Sequence, residues 1–161
     1  MRVLTPLELT AGGSILACVL AVTVPAFVRN LHTSRLVEPI QGLERIAARA
    51  AVLAAGRPTD MAYPATAPLS PATVPRGELV VDPPGTWDHP TWRELDFAPE
   101  QPHAFSFEFE GKNAADSSHF VARARGDLDG DGSQSTFSLR GEVKRGGAPT
   151  TSNLDMHREI E

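Results

Sequence analysis

The residues best suited to chemistry lie in Gly126-Asp127-Leu128-Asp129-Gly130-Asp131-Gly132-Ser133-Gln134-Ser135. Asp127, Asp129 and Asp131 alternate along the chain, so their carboxylates can converge on one point. Gly132, directly after them, permits the sharp turn that convergence needs. This is the pattern of the first half of a calcium loop, built for a hard cation that takes about six to eight oxygens. Ser133 offers a further oxygen at the next alternate position. The twelfth place of such a loop, usually a bidentate glutamate, is Ser138, so the missing ligand would have to be a backbone carbonyl, water or a distant residue. The same residues also suit a β-hairpin turn, because Asp and Gly accept turn conformations readily. A calcium site at Asp127, Asp129, Asp131 and Ser133 is the expectation, and a purely conformational turn is its alternative.

Little else in the chain suggests reactivity. His32, His89, His103, His119 and His157 have no zinc-ligand spacing, and no serine sits in a GxSxG elbow. Asp88-His89 is the kind of acid–histidine pair that arises by chance, and no glycine loop cradles phosphate. The expectation is a protein that is not an enzyme. Its net charge of −5, with no basic stripe, argues against nucleic acid as a partner.

The elements that must position the aspartate loop are legible around it. Within His103 to Glu110, Phe105, Phe107 and Phe109 alternate with Ser106, Glu108 and Glu110, a period of two that puts three rings on one face. His119 to Arg125 and Ser135 to Lys144 repeat the alternation, and Gly77 to Asp82 reads as a shorter first strand. An antiparallel sheet with one apolar face must be covered. Upstream, Leu36, Ile40, Leu43, Ala47, Ala50 and Ala54, widened by Ile46 and Leu53, recur at helical spacing and form the obvious cover. Gly56-Arg57-Pro58 ends that helix. Residues 57–76 carry five prolines and predict an extended loop without regular structure, a proline-rich peptide ligand being the sharper alternative. Trp87 and Trp92 sit in a turn-rich loop, expected to pack down as a lid, and residues 146–161 read as a flexible tail.

At the N-terminus, Leu4 to Val28 is an apolar run of membrane-spanning length, interrupted by Glu8 near its start. Thr5-Pro6-Leu7-Glu8 reads as a capping box with proline at the first helical position. A carboxylate at the edge of an apolar run also marks a functional position unless it is paired. A Leu-Glu pair entering an apolar helix, Pro25 seventeen residues after Glu8, and Phe27 two beyond the proline resemble the N-terminal signature of type IV pilins and of the pseudopilins of type II secretion. Leu4 stands where that family has its mature phenylalanine, and Thr5 and Glu8 match. Val3 replaces the glycine after which prepilin peptidase cuts, and Met1 to Val3 stands in the leader's place. Cys18, the single cysteine, excludes an internal disulfide, and Ile15-Leu16-Ala17-Cys18 faintly resembles a lipoprotein box.

The resemblance implies an α+β architecture, a long N-terminal helix packed on a small antiparallel sheet. The segments would be a leader at 1–3, a transmembrane or filament-core helix at 4–28, an amphipathic helix at 29–56, a proline-rich loop at 57–76, a sheet head at 77–145 and a tail at 146–161. It implies a filament subunit stored in the bacterial inner membrane with its head in the periplasm. The partners would be other pilin or pseudopilin subunits, the assembly machinery and the membrane itself. Processing would fall between Val3 and Leu4, followed by methylation, and Glu8, Pro25 and Phe27 would serve assembly. The alternative is a monomeric periplasmic binding domain held by a signal anchor or a lipid.

Overall fold

The computed structural model of the protein describes Cys18, Val19, Ala21, Thr23 and residues 36–157. The chain divides into two compact units, Met1–Leu36 and Val37–Glu161. In the first, the four described residues before position 36 are helical, and the Thr23 hydroxyl donates to the Val19 carbonyl at 2.8 Å. Among the described residues, no helix is long and apolar enough to cross a membrane.

The second unit is built on a sheet. Helix α1 runs over 36–55, followed by a 3-10 turn at Thr59–Met61, β1 at Ala67–Ser70 and the short helix α2 at Pro90–Glu94. Then come β2 (Phe105–Lys112), β3 (Ser117–Gly126), β4 (Ser135–Lys144), β5 (Thr150–Thr151) and β6 (Asp155–His157). The strands lie in the order β1-β2-β3-β4, and the far edge of β4 is shared by β5 and β6, every pair antiparallel.

The expected long N-terminal helix on a small sheet is therefore wrong as a description of this fold. Six antiparallel strands dominate, and the one substantial helix among the described residues covers only 36–55. The additional strands come from segments whose composition hides them. Within the proline-rich stretch, Ala67 and Ser70 pair with Phe109 and Phe107 at the sheet edge. There the missing N–H of Pro68 costs no ladder bond. In the C-terminal segment, Thr150–Thr151 pairs with Gly141–Glu142, and Asp155–His157 with Thr136–Ser138. Conversely, Gly77 to Asp82 forms no strand: only Val80 bridges, to His103, while Leu79 and Val81 are 57% and 77% exposed.

The core is the filled space between the Phe face and α1. Phe105, Phe107 and Phe109 are buried, as are Phe120, Ala122, Ala124, Phe137, Leu139 and Val143 from the neighbouring strands. Large faces small across the ladder, with Phe107 opposite Ala124, Phe109 opposite Ala122 and Phe105 opposite Gly126. A Cβ at Gly126 would lie 2.5 Å from the Phe105 ring, so only glycine leaves the ring its place. From α1, Leu43, Ile46, Ala47, Ala50 and Ala54 face this layer. Its stripe turns slightly from the expected one, since Pro39 is fully buried while Leu36, Ile40 and Leu53 are half-buried. At Gly42 the helix meets the Phe107 ring, at 2.6 Å from where a Cβ would stand.

A polar clamp fixes the start of α1 to β2. The Glu38 carboxylate accepts from the Ala104 and Phe105 backbone N–H groups at 3.0 and 3.1 Å. Burial pushes the Glu38 carboxyl above its ordinary value, against the opposing pull of those hydrogen bonds and the His103 charge. On the outer face, Glu108 accepts from Arg123 and Arg125 at 3.1 and 3.0 Å.

Candidate metal centre

The aspartate loop is the connection between β3 and β4, placed where the sheet hands its best-paired strands to one another. Gly126 pairs with Ser135 as the last rung, and residues 127–134 leave the sheet between them. Asp127 is buried, at 2% exposure, while Asp129 and Asp131 are exposed. The backbone of Asp127 also bridges in parallel to Arg76, with the Gly77 N–H donating to the Asp127 carbonyl at 2.7 Å. The loop is thus stitched to the segment leading out of β1.

Its side chains organise its own backbone. Asp127 Oδ1 accepts from Gly130 N–H at 2.8 Å and Oδ2 from Gly132 N–H at 3.1 Å. Asp129 Oδ1 accepts from Asp131 N–H at 3.1 Å, and Asp131 Oδ1 from Ser133 N–H at 2.6 Å. Gly130 and Gly132 take φ of 79° and 98°, the left-handed region that side chains avoid, which explains the glycines at both places. The Ser133 hydroxyl donates to Asp131 Oδ2 at 3.4 Å.

One carboxylate oxygen from each of Asp127, Asp129 and Asp131 lies within 4.8 Å of the others. The spacing read from the sequence thus brings together the three acids, with Ser133 hydrogen-bonded to the third. A carboxylate oxygen has more than one lone pair, so accepting a backbone N–H leaves capacity for a cation. Three negative groups this close repel, and the nearest ion-pair partner is Arg76 Nε, 4.0 Å from Asp127 Oδ2. The donor set fits a hard divalent ion bound to oxygen. Ser138, the twelfth position, sits within β4 opposite Arg123 and Asp155, away from the loop.

The tryptophan loop packs as a lid. Trp92 is buried and donates from its indole to the Ser70 hydroxyl at 3.0 Å. Trp87 is half-buried, edge-on to Trp92 and Phe97 at centroid separations of 5.4 and 5.6 Å. Asp88 and His89 form no dyad: Asp88 pairs with Arg93 at 3.2 Å, and His89 Nδ1 accepts from Thr91 N–H as the cap of α2. The arrangement that the sequence did not disclose is His103 with Asp82. They are far apart in the chain, share no motif, and meet at 2.8 Å in the interior.

Val3, Leu4, Glu8, Pro25 and Phe27, the positions expected to serve processing and assembly, lie outside the described residues. Comparison with family models, with curated proteins and with solved structures gives no match.

Proposed function

We propose that the chain is a structural subunit of a type IV pilus-like or type II secretion pseudopilus filament. In this reading the apolar run from Leu4 to Val28 holds the subunit in the bacterial inner membrane before assembly, with the unit from Val37 onward in the periplasm. The observation that carries it is the joint spacing of Glu8, Pro25 and Phe27 on the apolar run from Leu4 to Val28. Its partners are other subunits of the same kind and the membrane machinery that assembles them. The reading assigns no catalytic step to the chain, in keeping with the absence of a nucleophile–base constellation in its sequence.

The decisive measurement is the mass of the mature N-terminus from the native host. A chain beginning at Leu4, with a methylated amine, is the expected result. A lipid-modified N-terminus at Cys18, or an intact Met1 in the assembled protein, would overturn the reading.

Within the subunit, Asp127, Asp129, Asp131 and Ser133 serve as a calcium staple that fixes the β3–β4 connection. Lacking a bidentate glutamate, the loop belongs with weak extracellular sites, with Kd of about 10⁻⁴–10⁻³ M. At 1 mM calcium that stabilises the fold by about 0.4–1.4 kcal/mol. For a chain of this size the melting point should rise by about 1–5 °C over the same protein in chelator. Asp129→Ala should remove the calcium response while leaving the Asp127 backbone bonds intact. A wild-type melting point indifferent to calcium would reduce the loop to a turn.

A further inference from the structure

His103 stands at the junction of β2 and the tryptophan loop, with its side chain 4% exposed. Both ring nitrogens face oxygen. Nδ1 lies 2.8 Å from the Phe105 carbonyl, and Nε2 lies 2.8 Å from Asp82 Oδ2. A carbonyl can only accept, so Nδ1 must carry a proton to bond it. Asp82 Oδ2 also accepts from the Trp87 indole N–H at 2.6 Å. An ionised Asp82 accepts from both neighbours only if Nε2 also carries a proton. With Asp82 as the carboxylate, the ring that satisfies every partner is the imidazolium.

We propose that His103 is a proton-operated latch: doubly protonated, it bridges Phe105 of β2 to Asp82 and thereby holds Trp87 on the core, and loss of one proton severs the bridge. Neither neutral tautomer can keep it. With the proton on Nδ1, a bare Nε2 meets the carboxylate; with the proton on Nε2, a bare Nδ1 meets the Phe105 carbonyl. Each case sets a lone pair against an oxygen in a nearly dry site, a costly arrangement.

Carboxylates gather around the ring. Asp82 approaches from the 77–82 segment, Glu38 from α1 beside the Ala104 and Phe105 N–H groups, and Asp88 and Glu100 line the same cleft of about 270 Å³. The cations Arg45 and Arg93 line the adjoining cleft, with Trp87 bordering both. The Val80–His103 backbone pair, at 2.9 and 3.0 Å, carries no titrating proton and would keep the strand in place while the side chain lets go. What is released in either case is the tie between β2 at Phe105 and the Asp82–Trp87 corner.

The test is a pH titration by NMR of the full chain in detergent micelles, with histidine and tryptophan labelled with ¹⁵N. In its acid form the His103 ring should show two N–H groups. As the second proton is lost, solvent exchange of the Trp87 indole N–H should rise about tenfold relative to that of Trp92, which is bonded to Ser70 rather than to Asp82. His103→Gln, whose amide does not titrate, should abolish that step. A step that persists in H103Q would belong to another titrating group and overturn the latch. So would a Trp87 signal that stays constant while His103 titrates, or a His103 ring with one bare nitrogen at every pH. If H103Q does not fold, the coincidence of the two wild-type titrations decides the matter.

Discussion

Phe107→Ala should destabilise the unit from Val37 onward by about 3–5 kcal/mol, the usual cost of emptying a buried aromatic site. Phe107 is 2% exposed. Its ring meets α1 at Gly42, packs edge-on against Phe97 at 5.0 Å and approaches Trp87 at 6.4 Å. Collapse into the cavity is hard because Gly42 has no side chain to move inward and Ala124 opposite is small. A loss of that size is comparable with the whole stability of a small domain. Glu108→Ala, one residue on and facing outward, should cost far less, since the bonds it surrenders to Arg123 and Arg125 are partly solvated. Both variants can be followed by tryptophan fluorescence during denaturant unfolding of the full chain in detergent. Equal midpoints for the two would contradict the packing described.

Glu8→Ala is expected to abolish or severely reduce incorporation of the subunit into filaments while leaving it in the membrane. Within the proposed function, the carboxylate of Glu8 neutralises the N-terminal amine of a neighbouring subunit. A carboxylate among apolar side chains is costly unless it has such a partner. Removing it makes the run more apolar, so membrane insertion should not suffer. The measurement is the fraction of subunit in sheared filaments against the membrane fraction of the same cells. Glu8→Asp, with the charge retained on a shorter arm, should recover part of the loss. Full incorporation of the alanine variant would leave Glu8 as a helix cap and remove the main support for the filament reading.

Legibility in the sequence followed the strength of local pattern. Three phenylalanines at alternate positions leave one solution, because a one-residue slip would turn all three rings to solvent. The strands of the central hairpins were accordingly visible. So was the stripe of α1, although its buried face turned toward Pro39, which composition alone would not place in a core. The two peripheral strand regions were hidden for different reasons. Ala67–Ser70 has two prolines at or beside it and no run of β-branched residues, and its pairing depends on β2 offering an edge. Thr150–Thr151 and Asp155–His157 are too short to show a period, and their order comes from β4. Val80 and Val81 suggested a strand by residue type, yet a single bridge is all the geometry permits. In the aspartate loop the alternation of acids was plain, whereas the burial of Asp127 against the Arg76–Gly77 backbone was set by contacts distant in sequence. His103 and Asp82 carry no motif, and only the fold discloses their meeting.

The two margins of the sheet are unequal in construction but alike in effect. One is the four-residue β1, containing Pro68 and followed by Pro71; the other is divided between a two-residue and a three-residue strand. Among the described residues, neither presents a long, flat row of free N–H and C=O groups on which a foreign strand could grow. Many copies of this unit brought side by side would therefore meet through their side chains rather than by fusing sheet to sheet, so crowding need not lead to amyloid-like aggregation.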